Sequence, residues 1–173
     1  MAWGVLDCAG SPLLCRDLLM KLTPLIKPEL ALVLEGVKSR DDLLGKLADH
    51  IASVKPHIDA TGLEAALAAR EEQAPTSTPE GVAFPHAMYE GAEETFVVVA
   101  HVSGGVDFGK KGHPPSDIVF TLVGPPASAW QHVSVLARLA RICHSPGALM
   151  CLRGATDPQA LYQCLADEDA RHG

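Results

Sequence analysis

The sequence predicts an α/β fold, in which helices flank both faces of a single-domain mixed β-sheet. Compact apolar and β-branched runs indicate buried strands, and segments with helical hydrophobic spacing alternate with them along the chain. The stretch between Val99 and Ile118 holds no helix of useful length, so the strands on either side of it should be joined directly and antiparallel. At 173 residues, the chain is long enough for one domain with a real core.

The first half of the chain contains expected helices and two expected strands. Residues 1–17 are an N-terminal extension without clear organisation, and a short helix is expected over 13–22. The apolar run 30–34 lies between a proline and a glycine and predicts a buried strand. Ser39 should cap a helix, and Asp59 or Thr61 should begin another that ends at Arg70-Glu71. A loop over 73–80 leads into a short central strand over 82–84.

The second half predicts two strands, over 95–100 and 118–123, because both runs are rich in β-branched residues. Between them, 103–109 is rich in turn residues and 110–115 should be an exposed loop. A helix over 127–142 should follow, with two shorter helices opened by Ser145-Pro146 and Asp157-Pro158. Along the 127–142 helix we expect Val133, Leu136, Leu139 and Ala140 on the buried face and Arg138 and Arg141 off it.

Charge and composition exclude several classes of partner. The formal net charge is −7, and an acidic surface repels phosphate backbones and anionic lipid, so we expect no nucleic acid partner and no membrane insertion. No apolar run approaches the ~20 residues that a spanning helix needs. The N-terminus lacks a basic region, and the five cysteines form no CxxC pair, which predicts reduced thiols. Together these observations predict a cytoplasmic protein.

One histidine stands out by its position. Residues 80–88 indicate a short apolar strand that stops at Pro85, and His86 follows directly on the stiff backbone that proline imposes. Such a pattern can present an imidazole at the edge of a sheet. The alternative is a histidine that merely closes a strand, and the Pro-His dipeptide taken alone favours that alternative.

Several reaction classes lack their motifs. There is no H-E-x-x-H, no CxxC and no pair of histidines four residues apart, so we expect no metal. A serine hydrolase is disfavoured because no G-x-S-x-G is present. Neither a P-loop nor a G-x-G-x-x-G occurs, which argues against a bound nucleotide, and we expect no cofactor.

The remaining chemistry for an exposed histidine is to accept a group itself. A neutral imidazole nitrogen is a good nucleophile toward phosphorus, and the transfer then needs positioning and cations around the phosphoryl oxygens. Arg70 lies upstream of His86 at a helix end, where its planar fork suits phosphate, although a solvated helix-end cation is the simpler interpretation. His132 follows a strand end, as does His86, and α/β sheets gather reactive groups there.

These residues also resemble a known family, the enzyme IIA proteins of the bacterial phosphoenolpyruvate:sugar phosphotransferase system, fructose/mannitol class, including its nitrogen-regulatory branch. The resemblance extends from about Leu18 to Ala166, within an expected domain of 18–168. It rests on Arg70-Glu71, on 77–87 (STPEGVAFPHA), on 105–108 (GVDF), on the strand 117–123 and on 132–141 (HVSVLARLAR). Pro79 departs from the family's usual glycine, and the loop 110–115 is more basic than the rest of the chain.

The resemblance implies a role for each matched residue. His86 would carry the phosphoryl group, His132 would hydrogen-bond it or the imidazole, and Arg70 would steady its oxygens. The donor would be the phosphorylated histidine carrier protein, and the acceptor would be a IIB component of a sugar permease. Two alternatives stay open: a nitrogen-type regulatory protein whose phosphorylation state controls which target it binds, and a degenerate domain without the chemistry. The sugar and the oligomeric state are left open.

Overall fold

A five-stranded mixed sheet forms the centre of the computed structural model, which describes residues 21–171. Its strands are β1 (Ala31–Leu34), β2 (Val82–Ala83), β3 (His86–Met88), β4 (Phe96–Val106) and β5 (Ser116–Gly124). β1 is parallel to β4, β4 is antiparallel to β5, and both β2 and β3 are parallel to β5. The mixed sheet is thus confirmed, together with the direct antiparallel pairing of its two long strands. The expected extension 1–17 and nearly all of the expected helix 13–22 lie outside the described residues.

In the described part of the chain, five α-helices accompany the sheet: α1 (Arg40–Val54), α2 (Ala60–Gln73), α3 (Ala129–Cys143), α4 (Pro146–Gly154) and α5 (Pro158–Arg171). Two of their N-termini are capped as expected. The Ser39 hydroxyl accepts the Asp42 N–H at 3.1 Å, and the Asp59 carboxylate accepts the Gly62 N–H at 2.8 Å. Each cap satisfies an N–H group that has no partner within the helix.

The core consists of two layers, one on each face of the sheet. On one face α1 and α2 pack their leucines and Ile51 against Val98, Ala100 and Val119. On the other face α3, α4 and α5 pack against side chains that alternate with the first set along the strands, such as Val97, Val99 and Phe120. This alternation follows from the two-residue period of a strand, and it confirms helices on both faces.

The expected turn over 103–109 is wrong in its first part, because β4 continues to Val106. The pairing of β4 with β5 shifts register between His101 and Val106, where Val106 lies opposite Ser116. Gly104 and Gly105 have φ values of 83° and 66°, which glycine adopts without steric cost. The glycines therefore form an irregularity within the strand, and the chain does not leave the sheet there.

The expected buried face of α3 is also partly wrong. Val133 is 69% exposed, whereas Arg138 is only 3% exposed. Arg138 is buried because its Nε donates to the Asp169 carboxylate at 2.9 Å and its Nη2 donates to the Asp169 carbonyl at 2.7 Å. The same carboxylate accepts the Leu22 N–H at 2.7 Å. An arginine that is paired in this way can occupy a buried position, whereas an unpaired arginine would be too costly to bury there.

The expectation of reduced thiols is wrong for one pair. Cys151 on α4 and Cys164 on α5 form a disulfide, with their Cα atoms 5.8 Å apart. The packing of α4 on α5 brings these two side chains together, although 13 positions separate them in the chain. Cys143 is a free, buried thiol, as expected, and burial raises its pKa to about 12. The disulfide removes one of the observations behind the cytoplasmic prediction.

Candidate functional site

The edge of β5 carries two short strands in line, and His86 begins the second. The expected strand over 82–84 ends at Ala83, and pairing resumes at His86 opposite Leu122. Pro85 lies in the gap because it has no N–H to donate. Its carbonyl nevertheless accepts the Leu122 N–H at 3.0 Å, so the chain stays against β5. His86 is therefore held on a fixed backbone at the edge of the sheet.

Two contacts determine which nitrogen of His86 carries the proton. The Nδ1 atom lies 2.8 Å from the Phe84 carbonyl oxygen, which can only accept, so Nδ1 is the protonated nitrogen. The Nε–H of Arg70 points at the other nitrogen, Nε2, at 3.0 Å. A guanidinium can only donate, so Nε2 presents its lone pair. Both contacts indicate the same tautomer, with the unprotonated nitrogen facing the guanidinium.

The surroundings of His86 also favour the neutral ring. Burial lowers the pKa of His86 below its usual 6.5, and the positive charge of Arg70 lowers it further, against the opposing effects of the hydrogen bond to Phe84 and of the negative charge of Glu71. The ring is half-buried. At neutral pH the imidazole therefore has a free lone pair on Nε2, which is the form that attacks phosphorus.

Arg70 lies in the last turn of α2 and contacts more than solvent. Besides the contact with His86, its Nη1 donates to the Ala74 carbonyl at 3.2 Å. The two bonds hold the guanidinium between the end of the helix and the start of β3. Its remaining N–H groups leave it able to bind further oxygen acceptors beside Nε2 of His86.

His132 lies near the N-terminal end of α3 and is only 2% exposed. Its Nε2 lies 3.3 Å from the carbonyl oxygen of Ala87, the residue after His86. Burial lowers the pKa of His132, and the charge of His86 contributes in the same direction. The structure thus brings Arg70, His86 and His132 together from three separate elements.

Gly124 and Thr95 were not expected in the site, and Gly124 lies against both His132 and Thr95. A methyl group at Gly124 would stand 2.8 Å from Cε1 of His132 and 2.6 Å from Oγ1 of Thr95. Neither distance leaves room for a Cβ. The absence of a side chain at the end of β5 is therefore what lets the His132 ring approach. In the sequence, a glycine before Pro125 indicates only the end of a strand.

Exposed apolar side chains lie on the same elements as the two histidines. Met88, two residues after His86, is 41% exposed, and Trp130 is 64% exposed. Trp130 and Val133 are three residues apart on α3 and so share a helix face. Phe84, two residues before His86, is half-buried, and its ring stacks on Phe120 with 5.8 Å between centroids.

Within residues 21–171, no group of three or more His, Cys, Asp or Glu side chains is placed to hold a metal ion. Over the same residues, none of the helices combines the length and apolar character that crossing a membrane would require.

Comparison with known proteins places this geometry in a family. The family model for the phosphoenolpyruvate-dependent sugar phosphotransferase system, EIIA 2, matches residues 24–168. The nitrogen regulatory protein of Bradyrhizobium diazoefficiens is 32% identical over 147 residues, which cover 85% of this chain and 95% of that protein.

Solved structures show the same fold at lower identity. The nitrogen regulatory protein IIA-Ntr of Neisseria meningitidis superposes with a TM-score of 0.73 at 20% identity, covering 82% of this chain and 97% of that one. The enzyme IIA mannitol of Escherichia coli, in its complex with phosphorylated enzyme IIB mannitol, superposes with a TM-score of 0.67 at 18% identity, covering 82% and 97%. The match over residues 24–168 and the 32% identity together show that this chain belongs to the EIIA 2 family of the phosphoenolpyruvate-dependent sugar phosphotransferase system.

Proposed function

We propose that this protein relays phosphoryl groups: Nε2 of His86 accepts one from a phosphorylated histidine carrier protein and passes it to a IIB component. The observation that carries the proposal is the hydrogen bonding of one ring. Nδ1 is bound to the Phe84 carbonyl, and Nε2 is unprotonated and accepts the Arg70 Nε–H. The solved relative that is bound to a phosphorylated IIB protein supports a IIB acceptor.

The transfer follows from this arrangement. Nε2 of His86 attacks the phosphorus in line, an N–P bond forms, and the N–P bond to the donor's imidazole breaks with its electron pair going to the donor nitrogen. The proton on Nδ1 stays in place, so positive charge develops on the ring. The Phe84 carbonyl, 2.8 Å from Nδ1, stabilises that charge. A ring that keeps this proton is also a good leaving group for the next transfer.

In this proposal, Arg70 and His132 donate hydrogen bonds to the phosphoryl oxygens. The Arg70 Nε–H, which donates to the free Nε2, would transfer its hydrogen bond to an oxygen once Nε2 is bonded to phosphorus. The His132 Nε2 makes a long 3.3 Å contact with the Ala87 carbonyl, and its proton could move to a phosphoryl oxygen at little cost. His132 does not carry the phosphate itself.

We extend the proposal to the whole organisation of the chain. Residues 18–168 would form one enzyme IIA domain, after an extension of residues 1–17. A relay that takes phosphate from a histidine carrier protein would operate in the cytoplasm. Phosphohistidine transfer of this kind needs no cofactor, since the protein supplies both the nucleophile and the cations.

The test is a coupled phosphorylation assay. The purified chain is incubated with phosphoenolpyruvate, enzyme I and the histidine carrier protein, and the incorporated phosphate is tested for lability in acid and stability in base. We expect one acid-labile phosphoryl group on the wild type and none on His86→Ala. Absence of uptake by the wild type, or equal uptake by the variant, contradicts the proposal.

A second function is a regulatory protein whose phosphorylation state selects its binding partner. The observation that favours it is the name of two relatives: the protein at 32% identity and the structure with a TM-score of 0.73 are both nitrogen regulatory proteins. A phosphoryl group adds a charge of about −1.5 to −2, enough to change docking on the exposed Met88 and Trp130. Affinity capture with phosphorylated and unphosphorylated protein should then retain different partners, and identical partners would speak against this function.

The third alternative, a degenerate binding domain without the chemistry, receives less support. Arg70 Nε lies 3.0 Å from His86 Nε2, and His132 Nε2 lies 3.3 Å from the carbonyl oxygen of Ala87, the residue after His86, which supports an intact set of groups for the chemistry. The coupled assay decides this alternative too, because a degenerate domain would take up no phosphate.

A further inference from the structure

Glu71 follows Arg70 on α2 but faces the interior. Its side chain is 1% exposed, which is unusual for a carboxylate and requires hydrogen-bond partners. Both oxygens have one: Oε1 accepts the backbone N–H of Thr76 at 2.7 Å, and Oε2 accepts the Thr76 hydroxyl at 2.8 Å. The buried carboxylate therefore holds one residue of the loop by two bonds.

That loop residue is linked to the proposed nucleophile. The Thr76 carbonyl accepts the Phe84 N–H at 3.3 Å, and the Phe84 carbonyl in turn lies 2.8 Å from Nδ1 of His86. The loop runs antiparallel to β2 here, as Thr78 N–H also donates to the Val82 carbonyl at 2.8 Å. The peptide units around Phe84 are thus oriented by a loop that Glu71 anchors.

We propose that Glu71 is a positioning residue for phosphoryl transfer: through Thr76 and Phe84 it holds the carbonyl that keeps the proton on Nδ1 of His86. This inference rests on the proposed function for its effect on transfer. Its effect on the ring is independent of any phosphoryl donor.

Glu71 can act on His86 through the position of the loop or through its own charge, and the two effects are separable. Without the two bonds from Glu71, the segment around Thr76 is free to shift, and the Phe84 carbonyl shifts with it. The Nδ1 proton then loses its fixed acceptor, and the ring partly populates the tautomer that carries its proton on Nε2, in competition with the Arg70 Nε–H, which still donates to that nitrogen. Glutamine at position 71 can keep both bonds, because its carbonyl accepts the N–H and its NH₂ donates to the hydroxyl.

The test uses three substitutions and one matched control. Glu71→Ala removes both bonds, Thr76→Val removes only the hydroxyl bond, and Glu71→Gln removes the charge but keeps the bonds. The control is Glu72→Ala, an exposed carboxylate next to it on α2. The tautomer of His86 is read in the unphosphorylated protein at pH 8 from long-range ¹H–¹⁵N correlation spectra, and the rate of transfer from the phosphorylated carrier protein is measured by rapid quench.

We expect a single Nδ1–H tautomer in the wild type, in Glu71→Gln and in Glu72→Ala, and a mixture in Glu71→Ala. The transfer rate should fall roughly 10- to 100-fold in Glu71→Ala, because a small misplacement of a reacting group slows a reaction by about this factor. The transfer rate of Thr76→Val should fall a few-fold. If Glu71→Ala does not fold, Thr76→Val becomes the test, and an unchanged tautomer and an unchanged rate in that variant would overturn the inference.

Other outcomes are also decisive. An unchanged spectrum and rate in folded Glu71→Ala overturns the inference, and so does a Glu71→Gln protein that behaves like Glu71→Ala, since charge alone would then explain the effect. If the wild type takes up no phosphoryl group, the proposed function fails, while the tautomer spectra still test the role of Glu71.

Discussion

The Nε–H of Arg70 lies 3.0 Å from Nε2 of His86, although the two residues belong to the end of α2 and the start of β3. The contact places a cation directly at the nitrogen that attacks phosphorus in the proposed transfer. Burial lowers the pKa of His86, and the nearby positive charge lowers it further because it opposes protonation. In the proposed function, one guanidinium thus favours the neutral imidazole and donates hydrogen bonds to the oxygens of the incoming group.

Substitution of Arg70 tests this double role. Arg70→Gln should lower the rate of phosphoryl transfer to His86 roughly 10²-fold, because one charged donor to the transferring group is lost. The rate of Arg70→Lys should lie between those of the wild type and Arg70→Gln, since an ammonium keeps the charge without the planar fork. Rapid-quench transfer from the phosphorylated carrier protein measures both. Arg141→Lys, on the exposed side of α3, is the control, and a rate in Arg70→Gln equal to this control would remove Arg70 from the site.

The two histidines predict a pH dependence of stability. Both have a pKa below 6.5, chiefly because of burial, so between that lowered pKa and about 6.5 the unfolded chain binds more protons than the folded one. The free energy of unfolding should therefore rise with pH through this window. The stabilisation that the two neutral histidines contribute should be lost as the pH falls from about 6.5 through the window. Thermal unfolding from pH 5 to pH 8 measures it. The same slope in a His86→Gln/His132→Gln double variant would show that other groups cause it.

Gly124→Ala should disturb the site without changing any polar group. Its methyl carbon would lie 2.8 Å from His132 Cε1, so the ring must move away from β5. We expect a loss of at least about tenfold in phosphoryl transfer, since small displacements of catalytic groups are costly. Gly154→Ala is the matched control, because nothing lies within 4 Å of its added methyl. Crystal structures of both variants would show the displacement, and an unmoved His132 in Gly124→Ala would refute the argument.

The buried pair of Arg138 and Asp169 should matter for stability alone. Arg138→Met leaves the Asp169 carboxylate buried without its cation, which costs about 3–5 kcal/mol in comparable pairs. Arg40→Met, which breaks a surface pair with Asp41, should cost about 1 kcal/mol or less. Urea unfolding compares the two. Equal losses would mean that burial of the first pair is not what makes it important.

Local patterns predicted the elements well, because caps and β-branched runs act within a few residues. The caps of α1 and α2 and the pairing of β4 with β5 all follow from such signals. Arg138 could not be placed in this way. Its partner Asp169 lies 31 positions later on another helix, and the hydrophobic pattern of one helix does not indicate a partner on a different one.

The candidate site was accessible from sequence only in part. Proline before His86 indicated a fixed backbone, and the structure places Arg70 at its ring. The role of Gly124 depends on how closely α3 approaches β5, and the Cys151–Cys164 bond depends on how α4 packs on α5. Both are consequences of tertiary packing, which spacing along the chain does not encode.

The most direct test of the account is to locate the phosphoryl group atom by atom. Protein labelled with ¹⁵N in its histidines is phosphorylated by phosphoenolpyruvate, enzyme I and the carrier protein, and ³¹P–¹⁵N coupling is recorded in solution. The account predicts coupling to Nε2 of His86, with Nδ1 of that ring still protonated. Coupling to Nδ1 of His86, or to either nitrogen of His132, would contradict it.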